Sequence, residues 1–226
     1  MSEYNVYDEL KEIADGEYKK FSKKLIYTDY EILGVRQPEL KKMAKEKSKS
    51  AAITSFLSNL PHKSHEENIL HGCIIAEEKD LQKTFDAVEN FLPYIDNWAV
   101  CDCLAPKAFK KAKAEVLAKK AYEWIDSGKT YYIRFGIKTL MSYCLKENFK
   151  SEYAEKVDSV KSDEYYVKMM QAWYFATALC YNEKEIFPFF ERGLSDAWVH
   201  NKAIQKSRES FRIDEKLKEK LKELKR

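Results

Sequence analysis

The sequence has little glycine and proline, with 6 Gly and 5 Pro among 226 residues. A β-sandwich or barrel needs many tight turns, and these two residues form a large share of them. Their scarcity argues against an all-β fold and favours helices. With 45% hydrophobic residues, the composition lies in the ordinary globular range, which argues against a disordered chain.

Several motifs that mark common enzyme classes are missing. The chain contains no P-loop, no GxGxxG, no nucleophile elbow and no cysteine and histidine spacing of a zinc site. The amino terminus lacks the basic start and apolar run of a signal peptide, and no uncharged apolar stretch reaches ~18 residues. We therefore expect a soluble, cytoplasmic protein that makes no contact with membranes.

The chain also lacks a large excess of charge of one sign. It has 40 basic and 37 acidic side chains, so its formal net charge is +3. So small an excess does not predict a nucleic-acid partner, and the distribution of charge must decide. The five cysteines are odd in number and lie in apolar stretches, which predicts reduced core thiols. Cys101 and Cys103 are two apart and point in different directions on a helix, so we expect neither a metal site nor a cofactor.

Helical periodicity is what the chain does have. Apolar residues recur at three- and four-residue steps through most of the sequence, for example at Ile133, Ile137 and Leu140. Short breaks between these stretches predict roughly a dozen helices of ~10 to 16 residues. Such helices with short links are typical of a helical-repeat solenoid, with a compact bundle as the alternative. We predict an all-α fold in a single domain over residues 1–226.

Individual helix starts can be predicted from their first residues. Pro38 suits the first turn of a helix, because its missing N–H would have no partner there. Asp96 is predicted to cap a helix over residues 97–105. Ser162 or Asp163 is predicted to cap a later one.

Two further segments are predicted to be helical. Residues 131–137 have the composition of a strand, but the residues that follow them favour a helix. Residues 213–226 carry Leu217, Leu221 and Leu224 on one stripe with charges around it. This segment is predicted to be a terminal helix that closes the stack.

Four residues are candidates for chemistry. Trp98 and Asp102 are four apart, so on a helix an indole and a carboxylate lie on one face. The alternative is a core aromatic residue and a solvated carboxylate. Arg134 and Trp173 have simpler interpretations as a surface arginine and a core tryptophan, so that no residue of the four identifies a function by itself.

Six segments, taken together and in this order, closely resemble the AlkD-like DNA alkylation repair proteins. They are LGVRQPELKKMA at 33–44, HEE at 65–67, NWAVCD at 97–102, YIRFGI at 132–137, YYVKMMQAW at 165–173 and NKAIQKSRES at 201–210. The resemblance covers nearly the whole chain. It implies HEAT-like helical repeats that curve around a concave groove for duplex DNA.

The resemblance also implies an activity. Glycosylases of that family hydrolytically release cationic purines alkylated at N3 or N7 and leave an abasic site, without swinging the lesion fully out of the stack. Carried over onto this sequence, the catalytic aspartate falls on Asp102, its flanking tryptophans on Trp98 and Trp173, and the arginine near the lesion's backbone on Arg134. These four side chains are then expected to meet around one lesion.

The expected partner is duplex DNA that contains alkylated purines, bound by a monomer without a metal ion. Basic side chains on a concave surface would contact its phosphates, with ordinary solvated helix faces as the alternative. The expected contacts are Arg134, Lys138, Lys168, Lys202 and Lys206.

The sequence departs from the family's pattern at two positions. Where the family often has a Trp-Asp pair ahead of the catalytic aspartate, this chain has Ala99 after Trp98. Where the family often has an arginine three residues after the second tryptophan, it has Ala176. The leading hypothesis is a monofunctional alkylpurine DNA glycosylase. The alternatives are a non-catalytic DNA-binding scaffold that recognises DNA shape or branching, and a helical-repeat adaptor for another protein.

Overall fold

The structure is a computed structural model that describes residues 5–48 and 50–226. This part of the chain folds into fourteen α-helices and three short 3₁₀ helices, without a β-strand. The all-α prediction is confirmed. None of these helices combines the length and the apolar character needed to cross a bilayer. The chain divides into two compact units, one up to Lys111 and one from Ala112 onward, and the single domain stays a prediction.

The first unit is built around a helix that is buried on all sides. Its helices are α1 Val6–Glu12, α2 Gly16–Leu25, α3 Gln37–Lys47, α4 Ala51–Ser58, α5 His65–Glu77, α6 Leu81–Phe91 and α7 Trp98–Cys103, with 3₁₀ turns at Leu92–Tyr94 and Ala108–Lys111. α5 packs against α1, α3, α6 and α7, and residues 65–75 are all buried. A helix enclosed in this way leaves no face in water, so its polar side chains need partners inside the protein.

Buried carboxylates occupy the first turn of α5. The Glu66 carboxylate is 2% exposed and accepts hydrogen bonds from the backbone N–H groups of Leu33, at 2.8 Å, and Gly34, at 2.7 Å. Glu67 forms a capping box with Ser64, in which each side chain accepts from the other's backbone N–H. The Glu66 carboxylate thus fixes α5 to a segment 32 to 33 residues earlier in the chain.

The segment held by Glu66 also requires its glycine. Gly34 has φ of 100°, and a Cβ there would lie 2.7 Å from Lys19 Cβ and collide with the Asp15 carbonyl oxygen. Any other residue would be strained by its backbone conformation and by this contact. The glycine lets the chain pass close to α2 while Glu66 holds its N–H.

The second unit stacks its helices in two rows. They are α8 Ala114–Asp126, α9 Thr130–Tyr143, α10 Ser151–Asp158, α11 Tyr165–Tyr181, α12 Glu183–Arg192, α13 Ala197–Glu209 and α14 Glu215–Glu223, with a 3₁₀ turn at Lys146–Asn148. α9, α11 and α13 pack side by side, and α8, α10 and α12 pack against this row. The first turns of α9, α11 and α13 touch one another, as do the ends of α11 and α13, so the three helices run parallel.

Hydrogen bonds that recur at a similar sequence separation mark a structural repeat within each unit. Many long-range side-chain bonds join residues 30 to 37 positions apart. Examples are Glu66 with Leu33, Asn97 with His65, Arg134 with Tyr166 and Lys146 with Asn182. Within each unit, successive helix pairs are therefore bonded to each other, as in a helical-repeat solenoid.

The predicted cap of α7 was wrong by one residue. The cap is Asn97, and the helix spans Trp98–Cys103 instead of residues 97–105. The Asp96 carboxylate instead accepts from the Thr28 hydroxyl, at 2.5 Å, and from the Asp29 N–H, at 3.0 Å. These partners from the loop after α2 take up its acceptor oxygens.

The predicted cap of α11 was also wrong. The position before its first residue is Glu164, whose side chain accepts no capping bond. The Ser162 hydroxyl accepts from the Glu164 N–H at 3.2 Å, outside the helix, and the Asp163 carboxylate lies 4.0 Å from the Lys168 ammonium.

Three other local predictions are confirmed. Pro38 lies in the first turn of α3. Residues 131–137 are helical within α9. The terminal helix is α14, on which Leu217 and Leu221 are buried, but it is shorter than the predicted segment and Leu224 is the half-buried residue that follows its end.

Glu66→Ala tests the buried carboxylate. The variant leaves two buried backbone N–H groups without an acceptor, which should lower the free energy of unfolding by about 2 to 5 kcal/mol. Urea unfolding followed by circular dichroism would measure it. Glu39→Ala, at an exposed position of α3, is the matched control and should change stability little. Equal stability of the two variants would contradict the role given to Glu66.

Candidate functional site

α7 carries two of the candidate residues, Trp98 and Asp102, one helical turn apart. Both side chains are half-buried, so each is accessible to solvent. The Trp98 indole N–H points at the carbonyl oxygen of Leu25, 3.4 Å away at the end of α2. The indole and the carboxylate lie on the same face of this short helix, as their spacing predicted.

A buried amide fixes the start of α7. Asn97 is 1% exposed, and its Oδ1 accepts from the N–H groups of Ala99, at 3.0 Å, and Val100, at 3.1 Å. Its Nδ2 donates to Asp96 Oδ1, at 2.7 Å, and to His65 Nδ1, at 3.3 Å. Burial lowers the pKa of His65, which keeps the ring neutral and its Nδ1 able to accept. All four hydrogen-bonding positions of the amide are used, so the start of the helix that carries Asp102 is held in place.

Trp173 lies on the solvent face of α11. Its side chain is 40% exposed, so the alternative of a core tryptophan is wrong. Tyr165 and Tyr181, eight residues before and after it, are also exposed. At 3.6 residues per turn, each eight-residue step turns about 80° around the helix, so the three exposed rings do not share one face of α11. We did not predict their exposure.

A pocket of about 270 Å³ lies beside Trp173. It is lined by Trp173, Ala176, Thr177, Cys180, Lys206, Glu209, Ser210 and Arg212. Two cations and one carboxylate give this lining a net positive charge. Arg212 also donates to the Tyr181 hydroxyl at 2.5 Å, which links the pocket to the exposed ring at the end of α11.

Arg134 and Lys138 are enclosed on α9, with exposures of 4% and 9%. The Arg134 guanidinium donates to the Tyr166 carbonyl oxygen at 2.7 Å, and the Lys138 ammonium lies 5.7 Å from the centroid of the Phe135 ring. The alternative of a surface arginine is wrong for Arg134. Its observed bond holds the first turn of α11 against α9, and a phosphate contact by it stays a prediction.

The three other predicted DNA contacts are half-buried. Lys168 Nζ is 2.9 Å from Asp196, the cap of α13. Lys202 lies 5.7 Å from the centroid of the Trp198 ring, and Lys206 lines the pocket of Trp173. The structure thus brings Lys206 and Trp173 together. Their meeting with Trp98 and Asp102 around one lesion stays a prediction.

No cluster of three or more histidine, cysteine or acidic side chains in the described residues is arranged to hold a metal ion. Cys101 is buried, and the half-buried Cys103 thiol donates to the Val100 carbonyl oxygen at 3.1 Å. The two thiols therefore differ in surroundings although they are neighbours in sequence.

The first unit contains a cavity of about 600 Å³. One end of a stack of four aromatic rings forms part of its lining, and we did not predict this stack. His62 Nε2 and His71 Nδ1 are 2.8 Å apart, with Phe56 stacked on His62 at 4.3 Å and Phe91 on His71 at 4.0 Å. Burial lowers the pKa of His62 to about 4 and that of His71 to about 3. Both rings are neutral at pH 7, so one donates the shared proton and the other accepts it.

A comparison with known families was made over the whole chain. The model of a family described as DNA alkylation repair enzyme matches residues 6–209 of this chain, which covers most of both units. No curated protein matches the chain.

The histidine pair predicts a dependence of stability on pH. Unfolded histidines have a pKa near 6.5, so between pH 7 and 5 the unfolded chain binds protons that the buried rings do not. The free energy of unfolding should fall by about 2 to 4 kcal/mol over this range. Most of this pH range lies above the pKa values of carboxylates, so their titration contributes little to the change. The double variant His62→Phe/His71→Leu should show a flatter profile in urea unfolding. A native protein whose stability is constant over this interval would contradict the prediction.

Proposed function

Because the chain belongs to the DNA alkylation repair enzyme family, we propose that it is a monofunctional DNA glycosylase. Its substrate is duplex DNA with a cationic purine alkylated at N3 or N7, and its reaction is hydrolysis of the N-glycosidic bond without full flipping of the base. The observation that carries the proposal is the solvent-accessible Trp98 and Asp102 pair on a helix fixed by Asn97.

The alkylated base makes the reaction easier than ordinary glycoside cleavage. When the bond between C1′ and the purine nitrogen breaks, its electron pair goes to the purine and cancels the positive charge. The base therefore leaves as a neutral molecule and needs no strong general acid. Water then forms a bond to C1′ and gives up a proton, which leaves an abasic site with a hydroxyl group at C1′.

The remaining task is to stabilise the sugar cation and to position the water, and a carboxylate does both. With Asp102 about 4 Å from the developing charge, at an effective dielectric constant of about 20, the attraction is on the order of 4 kcal/mol before desolvation. This corresponds to roughly three decades in rate. The faces of Trp98 and Trp173 are each expected to add ~0.5 to 2 kcal/mol through cation–π contacts with the sugar and the base.

DNA binding is proposed for Arg134, Lys138, Lys168, Lys202 and Lys206. Lys206 is the best supported, because it lines the pocket of the exposed Trp173. The same pocket includes Ala176, at the position where the resemblance implies an arginine. We infer that Lys206 and Arg212 supply the positive charge that Ala176 does not.

A second candidate function is a non-catalytic DNA-binding scaffold of the same family. It is favoured by Ala99 and Ala176, which remove two charged side chains that the family's pattern implies. The scaffold and the enzyme share the same basic contacts. They differ in whether base is released.

Asp102→Asn tests the chemistry. Duplex DNA with 7-methylguanine or 3-methyladenine is incubated with the protein, and the free base is measured by chromatography. The native protein should release base, and the variant should be slower by about two to three decades, because the amide carries no charge. Asp86→Asn, at an exposed position of α6, is the control and should retain the native rate. Salt-sensitive binding without any release would support the scaffold instead.

Lys206→Ala tests the basic contact beside Trp173. Affinity for duplex DNA should fall, and the slope of log K against log salt concentration should shrink by about 1, because one phosphate contact is lost. Fluorescence anisotropy at several salt concentrations measures both quantities. Lys184→Ala replaces an exposed lysine of α12 and serves as the control. A slope equal to that of the native protein would exclude Lys206 as a phosphate contact.

A further inference from the structure

A chain of four aromatic rings crosses the first turns of α9, α11 and α13. The Trp198 and Tyr165 ring centroids are 5.8 Å apart, those of Tyr165 and Tyr166 are 5.3 Å apart, and those of Tyr166 and Tyr131 are 6.4 Å apart. We call these four residues the first-turn cluster. Its rings come from three helices, so the packing of the second unit assembles it.

The outer rings of the first-turn cluster are open to solvent. Tyr165 is 54% exposed and Trp198 is 37% exposed, while Tyr131 and Tyr166 are half-buried. Tyr165 and Trp198 touch each other at the surface and bury little of each other's area. Packing in the hydrophobic core therefore does not explain their position. Grouped exposed aromatic residues are typical of a binding surface.

A cation lies beside the terminal ring of the cluster. The Lys202 ammonium lies 5.7 Å from the centroid of the Trp198 ring, and the Lys129 ammonium lies 4.9 Å from that of Tyr132, the residue after Tyr131. Asp163 and Glu164 are exposed just before α11, with Asp163 4.0 Å from the Lys168 ammonium, and Asp196 pairs with Lys168 at 2.9 Å. The charges around the cluster are therefore balanced, and the basic group that a ligand on Trp198 would meet is Lys202.

Two polar contacts between helices keep the cluster in place. Arg134 donates to the carbonyl oxygen of Tyr166, and Lys168 bonds to Asp196, the cap of the helix that carries Trp198. These bonds join α9 to α11 and α11 to α13. The rings are therefore held ready for a ligand, which lowers the entropic cost of binding it.

We propose that the first-turn cluster binds unpaired nucleobases of single-stranded DNA. Exposed aromatic rings beside basic side chains suit this ligand, because every base has a π face to stack and every nucleotide brings a phosphate. Bases within a duplex are already stacked on each other and leave no face open. Tyr165 precedes Trp173 by about 12 Å along α11, so this site is distinct from the Trp173 pocket and goes beyond the proposed glycosylase.

Binding of a fluorescently labelled short oligothymidylate, followed by anisotropy, tests the proposal. The native protein should bind it, and Trp198→Ala/Tyr165→Ala should bind it roughly 5- to 100-fold more weakly, because two stacking surfaces are lost. Trp198→Phe keeps a ring and should stay close to the native affinity. The single variant Tyr165→Ala removes the most exposed ring and should disturb folding little. Its oligothymidylate affinity therefore gives a second test of the cluster.

Phe211→Ala is the matched control, since this ring is fully exposed in the same unit but outside the cluster. It should bind oligothymidylate like the native protein. The proposal is overturned if the native protein does not bind, if the cluster variants bind as well as the native protein, or if Phe211→Ala weakens binding as much. If the cluster variants bind oligothymidylate as tightly as the native protein does, a protein ligand for the cluster is the alternative.

Base release from alkylated duplex DNA, measured on the same variants, separates this inference from the glycosylase proposal. The cluster variants should retain release, because their rings lie away from Trp173 and Asp102 is unchanged. If the native protein releases no base but the cluster variants lose oligothymidylate, only the glycosylase proposal fails. If base is released and oligothymidylate binding does not depend on the cluster, only this inference fails.

Discussion

The first unit depends on the burial of the polar first turn of α5. His65, Glu66 and Glu67 are each nearly inaccessible to solvent, and burying them would cost several kcal/mol if their hydrogen bonds were not made. Each bonds to a different segment: Glu67 to the cap of its own helix, Glu66 to the chain before α3, and His65 to Asn97. Because Asn97 in turn caps α7, the start of the helix that carries Trp98 and Asp102 depends on His65.

The second unit places its charged and aromatic side chains differently. α11 is its central helix, with a buried core face and three exposed aromatic rings, Tyr165, Trp173 and Tyr181. Charges come from its neighbours: Arg134 from α9 bonds to its first turn, and Lys206 from α13 lies in the pocket of Trp173. Rigid helix faces carry these groups, which suits binding to a polymer whose charges are regularly spaced.

The two departures from the family's pattern have different surroundings in the structure. Ala99 follows Trp98 in the first turn of α7, where its N–H bonds to Asn97. Ala176 lines the pocket of Trp173, where Lys206 and Arg212 are also present. A missing cation at one helix position can be replaced by a cation from the neighbouring helix, because stacked helices share the surface between them.

The sequence alone determined that the chain is helical, where Pro38 lies in its helix and that Trp98 and Asp102 share a face, because these features depend on neighbours within a few residues. The cap of α7 went to Asn97 because Asp96 is bonded to a loop about seventy positions earlier. The enclosure of Arg134 and the exposure of Trp173 were likewise decided by which helices pack together, and sequence periodicity does not contain that information. Local hydrogen bonds and side-chain spacing are set by the chain itself, whereas burial is a property of the tertiary structure.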